Sequence, residues 1–280
     1  MQTQNYVLIN NIMSVDLEDY YCDLPFTSWS KYESKVEENT KVILDLFDKY
    51  KVTATFFTLG YIAEKHPGLI EEIKSKGHEI ATHGYSHTDL RKMDVKSFES
   101  DLTKSIKILE KISGEKVLGF RAPFFSIDKR NFWVFDVMRK YLEYDSSIFP
   151  VRTPLYGIPG AIRYPYHPSE NDPLQEDAND KFFEIPPATL PVPILGNIPI
   201  AGGFHMRFLP IVILKSGIKK INKNGYPAMC YVHPKDLDPE MPRIQEYGWH
   251  YYWGLNNSVK KFESLLKSFS FSSVRETVLS

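Results

Sequence analysis

Hydrophobic positions along this chain follow two rhythms that take turns. Asn11-Ile12-Met13-Ser14-Val15-Asp16 and Thr53-Ala54-Thr55-Phe56-Phe57-Thr58-Leu59 are short apolar runs, the second stopped by Gly60, and both read as buried strands. His78-Glu79-Ile80-Ala81-Thr82 alternates and reads as a third strand. Val117-Leu118-Gly119-Phe120, a strand ending at Tyr144-Asp145-Ser146-Ser147, Ala228 to Val232, and a last strand within Phe271 to Val278 continue the series. Between them the period changes. Val36 to Tyr50 sets Val36, Thr40, Ile43, Leu44 and Phe47 on one helical face. A helix through Leu69, Ile70 and Ile73 is closed by Gly77. Asp94 caps a long helix to Ile112 that buries Phe98, Leu102, Ile106 and Leu109 and stops at Gly114. Asn131 to Tyr141, Leu209 to Asn222 and Asn256 to Phe269 read as further helices. Strand and helix alternating in this way predict right-handed βα units, an α/β fold around a parallel sheet or barrel.

From about 150 to 210 the rhythm breaks. Twelve of the 19 prolines lie between Pro150 and Pro210, and they forbid long helices and central strands. The stretch is too apolar for a linker, so it reads as an ordered insertion across the rim, a lid or cleft wall. One domain over residues 1–280, carrying that insertion, is the organisation expected.

Composition narrows the function. Hydrophobic content of 42% and charged content of 25% are ordinary globular values. A net charge of −1 gives no electrostatic reason to bind nucleic acid. Cys22 and Cys230 are too few and too far apart to imply a disulfide framework. Met1-Gln2-Thr3-Gln4-Asn5-Tyr6 shows no basic cluster, and Val7-Leu8-Ile9 is too short for a signal core. The longest apolar run, Phe208 to Leu214, is seven residues and holds Pro210, against ~20 for a membrane span. A soluble, cytoplasmic protein is expected.

Chemistry gathers at the strand ends. Asp16 with Glu18 and Asp19, His83 with His87, Arg121, Asp145 and His233 each follow a strand, where α/β proteins place their sites. Two imidazoles and a carboxylate, with positions left for water, suit a catalytic metal. His66 and His78 read as structural; His167, His205 and His250 lie in or near the insertions, with His205 able to reach the cleft.

Taken in order, Ser14-Val15-Asp16-Leu17-Glu18-Asp19, His83-Gly84-Tyr85-Ser86-His87, Arg121-Ala122-Pro123-Phe124-Phe125, Tyr144-Asp145-Ser146-Ser147 and Tyr231-Val232-His233 resemble the five motifs of the polysaccharide deacetylases with a NodB homology domain, carbohydrate esterase family 4. Gly202-Gly203-Phe204, His233 to Pro239 and Pro242-Arg243 look like an intracellular subgroup from surface-polysaccharide and exopolysaccharide loci. The resemblance implies a distorted (β/α) barrel of about seven strands and hydrolysis of an acetyl group on a sugar. It implies one divalent metal on His83, His87 and a carboxylate, Glu18 or Asp19. Zinc comes first, and cobalt, nickel or ferrous iron also suits such ligands. Asp16 would be the general base, held ionised by Arg121. His233 would be the general acid, oriented by Asp145. A backbone N–H in the second motif's loop would help hold the oxyanion.

The expected substrate is a glycan or sugar precursor, deacetylated during surface polysaccharide biosynthesis; a homo-oligomer is left open. Aromatics of the insertion (Tyr156, Tyr164, Tyr166, Phe182 and Phe183) suit an extended sugar. The rivals are an amidohydrolase on the same barrel acting on a formamide, cyclic imide or allantoin-like ring, and an inactive glycan-binding relative.

Overall fold

A computed structural model describes residues 9–280, so the reading of Met1–Tyr6 as free of a targeting signal lies outside it. The strands are β1 (Asn11–Leu17), β2 (Thr55–Thr58), β3 (Glu79–Thr82), β4 (Gly119–Phe120), β5 (Tyr144–Asp145), β6 (Phe183–Glu184), β7 (Thr189–Val192), β8 (Gly196–Pro199), β9 (Met229–Val232) and β10 (Phe271–Ser272). The helices are α1 (Val36–Tyr50), α2 (Gly60–Lys65), α3 (Pro67–Ser75), α4 (Val95–Ser113), α5 (Trp133–Met138), α6 (Gly203–Phe208), α7 (Ile211–Lys223), α8 (Trp249–Tyr252), α9 (Leu255–Leu266) and α10 (Val274–Thr277). Strands β9, β1, β2, β3, β4, β5 and β6 run parallel in that order, and β10 adds a short pairing with Asn11 and Ile12. This is the seven-strand curled barrel the resemblance implies. No helix of the described residues is long and apolar enough to cross a membrane.

Local chemistry explains most element ends. Asp94 and Ser97 form a reciprocal capping box at the start of α4, and Gly114 takes the left-handed conformation at its end. Pro67 opens α3, where a missing N–H costs nothing. The helix expected over Leu209 to Asn222 is α7, which starts just after Pro210 at its N-cap position, with the short α6 before it. The last strand is shorter than expected. Ser273 accepts the N–H of Glu276 and turns the chain into α10 after two strand residues.

The proline-rich stretch is more than a rim. Its segment Phe183–Glu184 is itself a barrel strand, paired with β5. Bridges from Pro187 to Met229 and from Gly202 to Tyr231 then join the stretch to β9 across the remaining gap. A Cβ on Gly202 would lie 1.6 Å from the Tyr231 carbonyl oxygen, so only glycine allows that approach. β7 and β8 form a separate antiparallel hairpin.

Side-chain alternation sorts the barrel into two cores. Met13, Val15 and Leu17 face the surrounding helices within the large apolar cluster. Ile12, Phe57, Ala81, Tyr144, Ile185, Met229 and Val274 pack together as a second, smaller cluster. Tyr144 lies over Gly119, where any Cβ would meet its ring at 1.9 Å. That second set occupies the barrel interior and closes it below the site.

Candidate active site

Residues two further along the same inward rows stand above this plug: Asp16 after Ser14, His83 after Ala81, Arg121 after Gly119 and His233 after Tyr231. Arg121 is fully buried and fixed on every side. It donates to Asp16 Oδ1 at 2.6 Å, Ser14 Oγ at 2.9 Å, Ser146 Oγ at 2.8 Å and the Ser146 carbonyl at 3.1 Å. Its guanidinium lies 4.1 Å from the Phe57 ring centre. One oxygen of Asp16 is thereby held, and the other, Oδ2, lies 3.7 Å from His233 Nε2.

Glu18, His83 and His87 bring one ligand atom each within 4.8 Å of one another. Each histidine has Nδ1 on a backbone carbonyl: His83 on Arg121 at 2.7 Å, His87 on Cys22 at 3.0 Å. A carbonyl only accepts, so Nδ1 carries the proton and Nε2 is left with its lone pair, the form a metal binds. Burial pushes His83 down to about 4 and keeps it neutral. Burial also opposes charge on His87, but Glu18 at 2.7 Å draws its pKa above the usual value. Burial opposes the charge on Glu18 too, yet Lys235, His87 and His233 hold it well below the usual carboxylate range. Lys235 Nζ donates to Glu18 Oε1 at 2.7 Å and to Asp23 Oδ2 at 2.7 Å. Glu18 Oε2 is buried and lies 2.7 Å from His87 Nε2, with no other polar partner among the described residues. A buried, ionised carboxylate oxygen grouped with two imidazole nitrogens is a donor set that fits a divalent cation.

Asp19 stands outside this group. Its carboxylate accepts the backbone N–H groups of Tyr20 and Lys35 and the Ser34 hydroxyl, which anchors the loop leading into α1.

His233 is served by a residue the sequence reading did not assign. Asp236 Oδ2 lies 2.7 Å from His233 Nδ1, and its Oδ1 accepts from Arg207 Nε at 2.9 Å. Burial opposes the charge on His233, but Asp236 raises its pKa above the usual value. Burial likewise opposes the charge on Asp236, yet His233 and Arg207 keep it ionised. The signal was the His-x-x-Asp spacing, which in a helical turn brings i and i+3 together.

Asp145 does not orient His233. Tyr144 faces the barrel interior, so Asp145, one residue on, faces the other way. There it accepts from Ser147 Oγ at 2.6 Å and stands beside Glu184 of the paired strand β6. Both carboxyls are fully buried. Burial lifts Asp145 to about 6, and burial with the Asp145 charge lifts Glu184 well above its usual value. Two buried carboxyls side by side oppose a second negative charge. A raised folded pKa gives stability that is complete below the unfolded carboxylate range and lost as pH rises through the folded value. Melting temperature is expected to fall from pH 5 to pH 8 in the wild type and to fall less in Glu184→Gln. The expected difference between the two slopes is at least about 2–4 °C, the shift that 1 kcal/mol makes in a domain of this order of length. Parallel slopes in a calorimeter would rule this coupling out.

A cleft of about 500 Å³ opens over these groups, walled by Phe124, Tyr156, Phe204, His205, Tyr251 and their neighbours. Of the five insertion aromatics named from the sequence, Tyr156 alone lines it. Tyr166 and Phe182 are buried, Tyr164 stacks on Tyr226, and Phe183 packs on His167. The amides of Gly84 and Tyr85 are engaged by Thr82 Oγ1 and Asp101 Oδ1, which leaves neither for an oxyanion. His66 and His78 lie elsewhere, on Glu37 and on the Ala54 N–H. Cys22 and Cys230 are buried and unpaired.

A sequence model described as polysaccharide deacetylase matches residues 25–138. Residues 25–138 carry a polysaccharide deacetylase domain. Residues 146–279 match a domain of unknown function, DUF3473. A peptidoglycan-N-acetylglucosamine deacetylase of Bacillus cereus is 37% identical over 87 residues, 31% of this chain and 32% of that protein. The chain thus spans about a third of that relative's length. A Mycobacterium smegmatis structure assigned to the polysaccharide deacetylases superposes with a TM-score of 0.61 at 18% identity, covering 97% of this chain and 88% of that one. The PuuE allantoinase structure gives 0.56 at 16% identity, covering 95% and 86%. At these identities both structures speak to the fold. Of the site groups, Asp16 and Glu18 precede the deacetylase match and His233 and Asp236 lie in the second match.

Proposed function

We propose that the protein is a metal-dependent sugar N-deacetylase that releases acetate and a free amine from an N-acetylated glycan or glycan precursor. The observation that carries this reading is the pairing of two sets in one cleft. Glu18, His83 and His87 offer a cation site, and Asp16 and His233 stand beside it with their partners on opposite sides. A divalent cation on those three ligands would supply Lewis acidity to the acetyl carbonyl and to the attacking water. Asp16 Oδ2, with its partner oxygen held by Arg121, takes the proton from that water. His233, charged through Asp236, gives a proton to the departing nitrogen from Nε2. Water's oxygen ends on the acetyl carbon, the C–N bond breaks, and the amine leaves protonated.

The proposal extends to a place of action inside the cell, in the making of a surface polysaccharide. Support for that is the likeness of Gly202-Gly203-Phe204 and the His233 to Pro239 stretch to the subgroup named above. The experiment is acetate release from N-acetylated glycans, with formamides and allantoin as the comparison. Acetate from the glycans with both comparison substrates untouched supports the reading; turnover of allantoin alone would replace it with the amidohydrolase.

A further inference from the structure

Beside the cleft mouth four aromatic side chains form a closed ring of contacts. Phe204 stacks on Phe208 with centroids 5.2 Å apart at 22°, and meets Trp249 edge-on at 5.8 Å. Trp249 meets Trp253 edge-on at 5.8 Å, and Trp253 returns to Phe208 at 6.3 Å. Phe208, Trp249 and Trp253 are 48%, 64% and 53% exposed. A lone exposed aromatic needs no explanation, but a contiguous patch of them marks a binding surface.

Two features tie this patch to the chemistry. Phe204 and His250 line the cleft, so the patch continues its wall outward. Arg207, whose Nε holds Asp236, donates through Nη1 to the carbonyls of Tyr251 at 3.1 Å and Trp253 at 2.5 Å. One guanidinium therefore fixes both the partner of His233 and the segment that carries the two tryptophans. The imidazole of His250 meets Phe204 edge-on at 6.3 Å, which places a polar group at the border of the aromatic faces. An apolar face bordered by a hydrogen-bonding edge matches a pyranose, with its CH face and rim of hydroxyls. Phe208, Trp249 and Trp253 do not line the cleft, so a ring stacked on them is not the ring losing its acetyl group.

We infer that Phe204, Phe208, Trp249 and Trp253 form an accessory subsite that stacks a neighbouring pyranose of the same glycan. The substrate class is then an oligosaccharide or polymer rather than a single sugar. This rests on the deacetylase reading.

The test follows acetate release from β-1,4-linked N-acetylglucosamine oligomers, dimer to hexamer. In the wild type kcat/KM rises with length. In Trp249→Ala/Trp253→Ala the hexamer-to-dimer ratio falls by about tenfold or more through KM, the scale of one good ring contact. Trp249→Phe/Trp253→Phe, which keeps ring faces, retains most of the ratio. An unchanged ratio in the alanine variant overturns the inference while leaving the deacetylase standing. So does an unchanged ratio coupled with lost cosedimentation on phosphatidylglycerol vesicles, which would make the patch a membrane contact. If no oligomer is deacetylated, calorimetric binding of the hexamer separates the two claims. Binding weakened about tenfold in the alanine variant keeps the subsite and removes the enzyme reading, and absence of binding removes both.

Discussion

Asp16→Asn is expected to bind metal as the wild type does and to lose turnover by roughly 10²–10⁴-fold, the usual worth of a positioned general base. The amide oxygen can still accept from Arg121, so the geometry has no reason to collapse, but the group no longer takes a proton. The loss should fall on kcat more than on KM, because the side chain acts on the attacking water rather than on the glycan. A stability cost accompanies it. Arg121 is buried and paired at 2.6 Å with Asp16 as its one carboxylate partner. Neutralising that partner costs at most about 3–5 kcal/mol, the range for breaking a buried pair outright. Thermal melting therefore belongs beside the kinetics, and rates are compared where both proteins are folded. Normal turnover in a folded, metal-loaded variant would remove Asp16 as the base.

Loss of the Glu18 carboxylate is the second large effect. Glu18→Gln keeps the shape of the side chain and removes the anionic oxygen that faces His83 and His87. Changes to groups that only support a metal's ligands cost roughly 10–100-fold in affinity; replacing a ligand itself should exceed that. The neighbouring Asp19→Ala is the informative contrast. Asp19 accepts from Ser34 and Lys35 and does not face the histidines. Its removal should leave metal affinity unchanged and cost about 1–2 kcal/mol of stability, as the loss of a comparable cap does.

Much of this arrangement was legible in the residues. The runs ending at Asp16, His83, Arg121 and His233 read as strands, and the two-residue side-chain period of a strand sets those four side chains on inward rows. Asp145 shows the same rule from the other side. Reading it as a strand-end acid was sound, but with Tyr144 filling the barrel interior the next residue must face outward, to Glu184. Strand β6 was hidden because two residues among prolines give no periodicity to read. Asp236 was hidden because its reach to His233 depends on a tight turn after Pro234. The aromatic patch at Trp249 and Trp253 comes from a segment without any pattern of its own, held in place by carbonyls that accept from Arg207. Such contacts between irregular segments are not encoded in spacing.

Metal affinity measured by calorimetry on chelator-stripped protein, for the wild type, Glu18→Gln and Asp19→Ala side by side, tests the centre of this account most directly. One divalent ion per chain in the wild type and in Asp19→Ala, with binding weaker by more than about 100-fold in Glu18→Gln, is the result expected. Wild-type affinity in Glu18→Gln, or none in any of the three, would contradict it.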